Sequence, residues 1–104
     1  MTRVVEQSYW QVNEGQQERF DAACKDLVVI MKSEYDIEVE IGAVQSGPHE
    51  GEYSFRFTAP DGAAYGKFID SYRTNTVWQE FMKTYSNPPI DTKIGQTERI
   101  YLFS

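Results

Sequence analysis

Hydrophobic positions change their period several times along the chain, and each change marks an element. From Val4 to Val12 apolar groups fall on both faces of an alternating pattern, Val5 and Tyr9 on one and Val4, Trp10 and Val12 on the other. Successive side chains of a strand point to opposite faces, so this segment reads as a strand covered on both sides. Asn13-Glu14-Gly15-Gln16 has the chemistry of a helix start, because the Asn13 side chain can accept from a free backbone N–H and Gln16 can reach back. Phe20, Cys24 or Ala23, Leu27, Met31 or Ile30 and Tyr35 then recur at three- and four-residue steps, the apolar stripe of a helix of about six turns.

Strict alternation follows. Ile37, Val39 and Ile41 share one face against Glu38 and Glu40, and the segment runs on through Gly42, Ala43 and Val44. Gln45 to Gly51 is turn chemistry, with two glycines and Pro48. Glu52 to Thr58 puts Tyr53, Phe55 and Phe57 on one face and Ser54 and Arg56 on the other, which predicts a hairpin. After Ala59-Pro60-Asp61-Gly62, helical spacing resumes from Ala63 to Tyr72 through Tyr65, Phe68, Ile69 and Tyr72, weakened by Gly66. A polar break at Arg73 to Thr76 precedes a short helix with Thr76 and Gln79 in capping-box positions and Trp78, Phe81, Met82 and Tyr85 as its apolar content. Asn87-Pro88-Pro89 stops it, and Lys93 to Ser104 alternates Ile94, Ile100 and Leu102 against Tyr101 and Phe103.

The order β-α-β-β-α-β predicts a ferredoxin-like α+β fold: a four-stranded antiparallel sheet with helices on one face, in a single domain over residues 1–104. Helices can cover only one face of such a sheet. Because the first and last strands are bulky on both faces, the open face needs a cover, and a homodimer supplies it most simply.

Composition narrows the partners. The 104 residues carry a formal net charge of -6 without a Lys/Arg block, which argues against nucleic-acid or anionic-membrane binding. No apolar run reaches a membrane span, and Met1 to Glu6 lacks the features of a secretory signal, so the expected address is the cytoplasm. One cysteine, Cys24, and one histidine, His49, leave no disulfide and no transition-metal ligand set, and no cofactor motif accompanies them.

Two segments carry a family resemblance: Val12-Asn13-Glu14-Gly15 followed by Phe20 at the first strand-to-helix turn, and Asn75-Thr76-Val77-Trp78-Gln79-Glu80-Phe81 opening the last helix. On these the chain resembles the dimeric α+β barrel superfamily, which includes antibiotic-biosynthesis monooxygenase-like, NIPSNAP-like and stress-responsive dimeric-barrel domains. The resemblance implies two ferredoxin-like subunits with sheets face to face, each with a pocket between sheet and helices. It implies no one chemistry, since the fold hosts oxygenases, isomerases, haem-degrading enzymes, decarboxylases and proteins without known activity. Haem-degrading members use a helix-borne histidine, whereas His49 lies in a hairpin loop, and no histidine stands on the first strand where several stress-responsive members have one.

The aromatic residues, 14% of the chain, are the most informative candidates. Trp10, Tyr53, Phe55, Phe57, Phe68, Tyr72, Trp78 and Phe81 should converge between sheet and helices, either as packed core or as the lining of a cavity opened by Gly66 and the Arg73–Thr76 break. Tyr9, Tyr101 and Phe103 are candidates for the opposite face. His49, beside Glu50, and Tyr72 are the weak catalytic candidates. Cys24 reads as a small hydrophobe, and a lone Gly15 makes no phosphate loop. Glu34, Asp36, Glu38 and Glu40 read as a solvated acidic face rather than a hard-cation site, with Arg56 and Arg99 as natural counter-charges. The leading expectation is a homodimer that binds a small apolar or amphipathic molecule, fatty-acid-like or aromatic. The alternatives are a cofactor-independent monooxygenase or isomerase using Trp78, Tyr72 or His49, and a structural or regulatory dimer without ligand.

Overall fold

The computed structural model describes residues 2–103. Its elements are β1 (Arg3–Val12), α1 (Gln17–Tyr35), β2 (Glu38–Ala43), β3 (Tyr53–Ala59), α2 (Gly62–Ser71), α3 (Thr76–Tyr85) and β4 (Asp91–Leu102). All strand pairs are antiparallel, in the order β2-β3-β1-β4, the ferredoxin-like arrangement. The two helical segments expected on either side of the polar break are α2 and α3. The final strand begins at Asp91 rather than Lys93, and Ser104 lies outside the described residues. Among the described residues no helix is long and apolar enough to cross a membrane.

The core lies between α1 and the sheet. Of the alternatives on the α1 stripe, Ala23 and Met31 are buried with Phe20, Leu27 and Tyr35, while Cys24 is half-buried and Ile30 partly exposed. They meet Val4, Ile37, Val39, Phe55, Ala59 and Phe68. The helix ends at Asp36, whose left-handed backbone (φ 55°) reverses the chain into β2 while its N–H returns to the Lys32 carbonyl at 3.1 Å.

Three local expectations are corrected. Asn13 does not cap α1: Gln16 occupies the cap position, and its side chain makes no capping hydrogen bond. Asn13 instead binds the segment before β4, its N–H donating to Ile90 O (2.9 Å), its Nδ2 to Pro89 O (3.0 Å) and its Oδ1 accepting from Thr92 (2.7 Å). Asn75 rather than Thr76 caps α3: its backbone is extended and its Oδ1 accepts from the N–H groups of Val77 (2.9 Å) and Trp78 (3.1 Å), two of the free donors of the first turn. Tyr101 stands opposite Val4, a core residue, so it lies on the helix-facing side of the sheet edge and not on the open face; Phe103 lies beyond the end of β4 and is 90% exposed.

The open face takes the residues opposite and adjacent to Val5, which is fully buried: Thr58 on β3 and Ile100 on β4 are its partners. A register shift interrupts the β1–β4 ladder between Gln7 and Tyr9, where Gly95 takes a positive φ of 72°. Glycine is suited to this bulge because a side chain there would strain the backbone.

Candidate functional site

The interrupted helix creates the site. α3 leans on α1 and is tied to it by polar bonds: Asn75 Nδ2 donates to Glu34 Oε1 (2.9 Å), Tyr85 Oη to Asp26 Oδ2 (2.7 Å) and Arg19 Nη2 to the Thr84 carbonyl (3.1 Å). No α3 residue is fully buried. Its rings extend a ladder from Phe68 of α2, with Phe68 to Trp78 at 6.0 Å, Trp78 to Phe81 at 5.5 Å and Phe81 to Tyr85 at 5.2 Å between centroids.

Between this ladder and the sheet lies a cleft of about 380 Å³. The sheet contributes Trp10, Phe55 and Phe57, and α1 contributes Phe20, Ala23, Cys24 and Leu27. The lower wall is the chain from Tyr85 through Ser86, Pro89 and Ile90 to Asp91. That wall is fixed by Asn13, as above, and by Arg19, whose Nη1 donates to Pro88 O (2.7 Å) and Gln16 Oε1 (2.6 Å).

Few polar groups reach the lining. Ser8 Oγ accepts from Trp10 Nε1 at 2.9 Å, which holds the indole in place. Glu6 accepts from the Tyr65 hydroxyl of α2, and the Arg99 guanidinium sits over the Tyr65 ring, 4.9 Å from its centroid. Burial, aided by the hydrogen bond to Glu6, pushes the Tyr65 phenol up to about 12, so it stays protonated as a donor. Burial likewise pushes the Cys24 thiol up to about 11, with Asp21 and Asp91 adding to the effect. A neutral thiol is a poor nucleophile, and Cys24 serves the cleft as an apolar wall. Burial also holds the Asp91 carboxyl above its ordinary range.

Of the sequence candidates, Trp10, Phe55, Phe57, Phe68, Trp78 and Phe81 all border the cleft. Tyr53 and Tyr72 do not: Tyr53 packs on Phe20 at 4.8 Å, and Tyr72 on Phe68 at 5.2 Å and Trp78 at 6.1 Å, backing lining residues. His49 is carried elsewhere. Its ring stacks on Tyr9 at 3.7 Å, on the face opposite to Trp10, and its Nδ1 lies 2.7 Å from Glu52 Oε1 rather than beside Glu50. His49 is therefore separated by the sheet from Tyr72 and Trp78.

The acidic run disperses. Glu34 accepts from Asn75, Lys32 Nζ lies 2.9 Å from Asp36 and 3.6 Å from Glu38, and Glu40 stands opposite Arg56. Arg99 is no counter-charge to this run, because β4 and β2 are opposite edges of the sheet. Glu6, Ser8, Asp91 and Thr97 are lining residues that the sequence reading missed. For Glu6 and Ser8 a signal exists, since they alternate in phase with Val4 and Trp10 on one strand face.

No family model matches the chain, and no curated protein matches it in sequence. Solved structures do resemble it. A conserved protein of unknown function from Bacteroides thetaiotaomicron, for which an oxidoreductase role has been suggested, superposes with a TM-score of 0.67 at 11% identity, covering 97% of this chain and 98% of that one. An uncharacterised NIPSNAP domain protein from Burkholderia xenovorans gives 0.63 at 16% identity over 97% and 93% of the two chains. A NIPSNAP family protein from Agrobacterium tumefaciens gives 0.64 at 15% over 97% and 91%. Strand order, helix placement and these likenesses agree on a ferredoxin-like α+β fold.

Proposed function

We propose that the protein is a cytoplasmic homodimer that binds a small apolar or amphipathic molecule, with a fatty-acid-like chain or an aromatic body, in the cleft under α3. One observation carries this reading: the half-buried rings on the inner side of α3 pack at the edge of the core and border a cleft whose volume falls in the range of small-molecule sites. Support for the dimer comes from the open sheet face, where Ile100 is 40% exposed on a surface that no helix covers.

Both tryptophans of the chain border the cleft, so intrinsic fluorescence is a direct readout of occupancy. A ligand should shift or quench the emission saturably, and Trp78→Ala should weaken binding about tenfold or more, measured by calorimetry on the folded variant. Unchanged affinity removes Trp78 from the site. Light scattering at micromolar concentration should give twice the chain mass; a stable monomer defeats the dimer.

The enzyme alternative draws on a single observation, the Tyr65–Glu6 hydrogen bond, which sets a carboxylate on the cleft wall with a phenol behind it. Such a pair can hold and move a proton in isomerase-type chemistry.

A further inference from the structure

We propose that the cleft selects ligands with a protonated amine headgroup and rejects carboxylate-headed ones of the same length. The inference rests on the cleft being a ligand site and names the class of ligand it takes. Its basis is the charge inventory of the lining. Two carboxylates, Glu6 and Asp91, border the cleft, and among the described residues no lysine, arginine or histidine does. Three basic residues stand near the cleft without bordering it: Arg19 is bonded to the carbonyls of Thr84 and Pro88, Arg99 lies over the ring of Tyr65, and Lys93, opposite Trp10 on β4, is exposed.

Position reinforces the sign. Glu6 stands on β1 opposite Arg99, and Asp91 on β4 opposite Val12 at the far end of β1, so the two carboxylates are separated along the cleft. With strands rising about 3.3 Å per residue, the two backbone positions are roughly 20 Å apart along β1, and the walls between them are mostly rings and aliphatic groups. Tyr65 donates to Oε1 of Glu6, and no side-chain hydrogen bond among the described residues engages Oε2. Asp91 is half-buried, and its desolvation is the strain that an adjacent positive charge relieves.

The rings favour the same ligand. Trp10, Trp78 and Phe81 present π faces or edges to the cleft, and an ammonium group is attracted to aromatic faces most strongly where water is excluded. An anion gains nothing from those faces, and bringing it beside two carboxylates with no basic residue in the lining is repulsive in a medium of low dielectric.

Three probes of one length separate headgroup from chain: decylamine, decanol and decanoate, titrated at neutral pH and physiological salt against tryptophan fluorescence, with Glu6→Gln and Asp91→Asn as single and double variants. The expected order is amine over alcohol over carboxylate, with about a tenfold gap at each step. In the double variant the advantage of the amine over the alcohol should fall to within about twofold. Equal binding of the three, or a preference for decanoate, overturns the headgroup inference and leaves the cleft as a ligand site. An amine preference that survives the double variant also overturns it, since the attraction then belongs to the acidic surface. Saturable binding of none of the three defeats the ligand-site reading itself, and with it this one.

Discussion

α1 and α3 are both amphipathic helices on the same side of one sheet, yet they use their apolar stripes in opposite ways. α1 commits its stripe to the core: Phe20, Ala23, Leu27, Met31 and Tyr35 are buried, Met31 fully. α3 buries none of its residues fully, and is anchored by polar bonds to α1 while its rings border a cleft. Amphipathic spacing therefore identifies which side of a helix turns inward but not whether anything is packed against it. Contact with the sheet decides that, and α3 leans on α1 instead.

The sharpest way to break the comparison is truncation on each helix. Met31→Ala should cost about 2–5 kcal/mol in urea unfolding, the range for emptying a packed site. Phe81→Ala should cost less than about 2 kcal/mol, since one side of its ring already faces the cleft. Equal costs would mean that α3 is packed like α1.

Cys24 tests the boundary between the two, because it sits on α1 but borders the cleft. With its pKa moved from 9.0 to about 11, its thiolate fraction at pH 8 is about a hundredfold lower than that of an unperturbed thiol. Iodoacetamide should label it correspondingly slowly in the folded protein, faster as pH rises towards 11, and more slowly again with ligand bound. Labelling at the rate of the urea-unfolded chain would place Cys24 outside the protected wall.

The smallest effect belongs to Tyr35, at the end of the α1 stripe. Its hydroxyl is buried without a hydrogen-bond partner among the described residues. Removing an unsatisfied buried group while keeping the ring should leave stability unchanged or raise it by up to about 1 kcal/mol, so Tyr35→Phe should not lower the melting temperature. A clear loss would show that the hydroxyl is satisfied in solution.

Much of this architecture was legible in the residues themselves. The α1 stripe and the Ile37/Val39/Ile41 alternation persist long enough to establish helix and strand, and the glycines between Gln45 and Glu52 establish the hairpin. Termini were harder. Asn13 and Asn75 both have capping chemistry, but only the backbone path shows that Asn75 caps a helix while Asn13 clamps a distant segment. Faces were harder still: alternation in β4 separates Tyr101 from Ile100, but only pairing with Val4 and Val5 shows which of them faces the helices. The rings of the cleft were legible because large aromatics cluster where layers meet. Glu6 and Asp91 were not, since a carboxylate on a strand reads as solvent-facing until register and the wall beside it are known.

That α3 is only half-buried, at the edge of the core, has an evolutionary consequence. Substitutions on its inner side, at Trp78, Phe81, Met82 and Tyr85, reshape the cleft at less cost in stability than changes along the fully buried stripe of α1. Variation can therefore accumulate at the helix that shapes the cavity while the scaffold stays constant. A domain divided in this way can change what it recognises without first acquiring compensating mutations in its core.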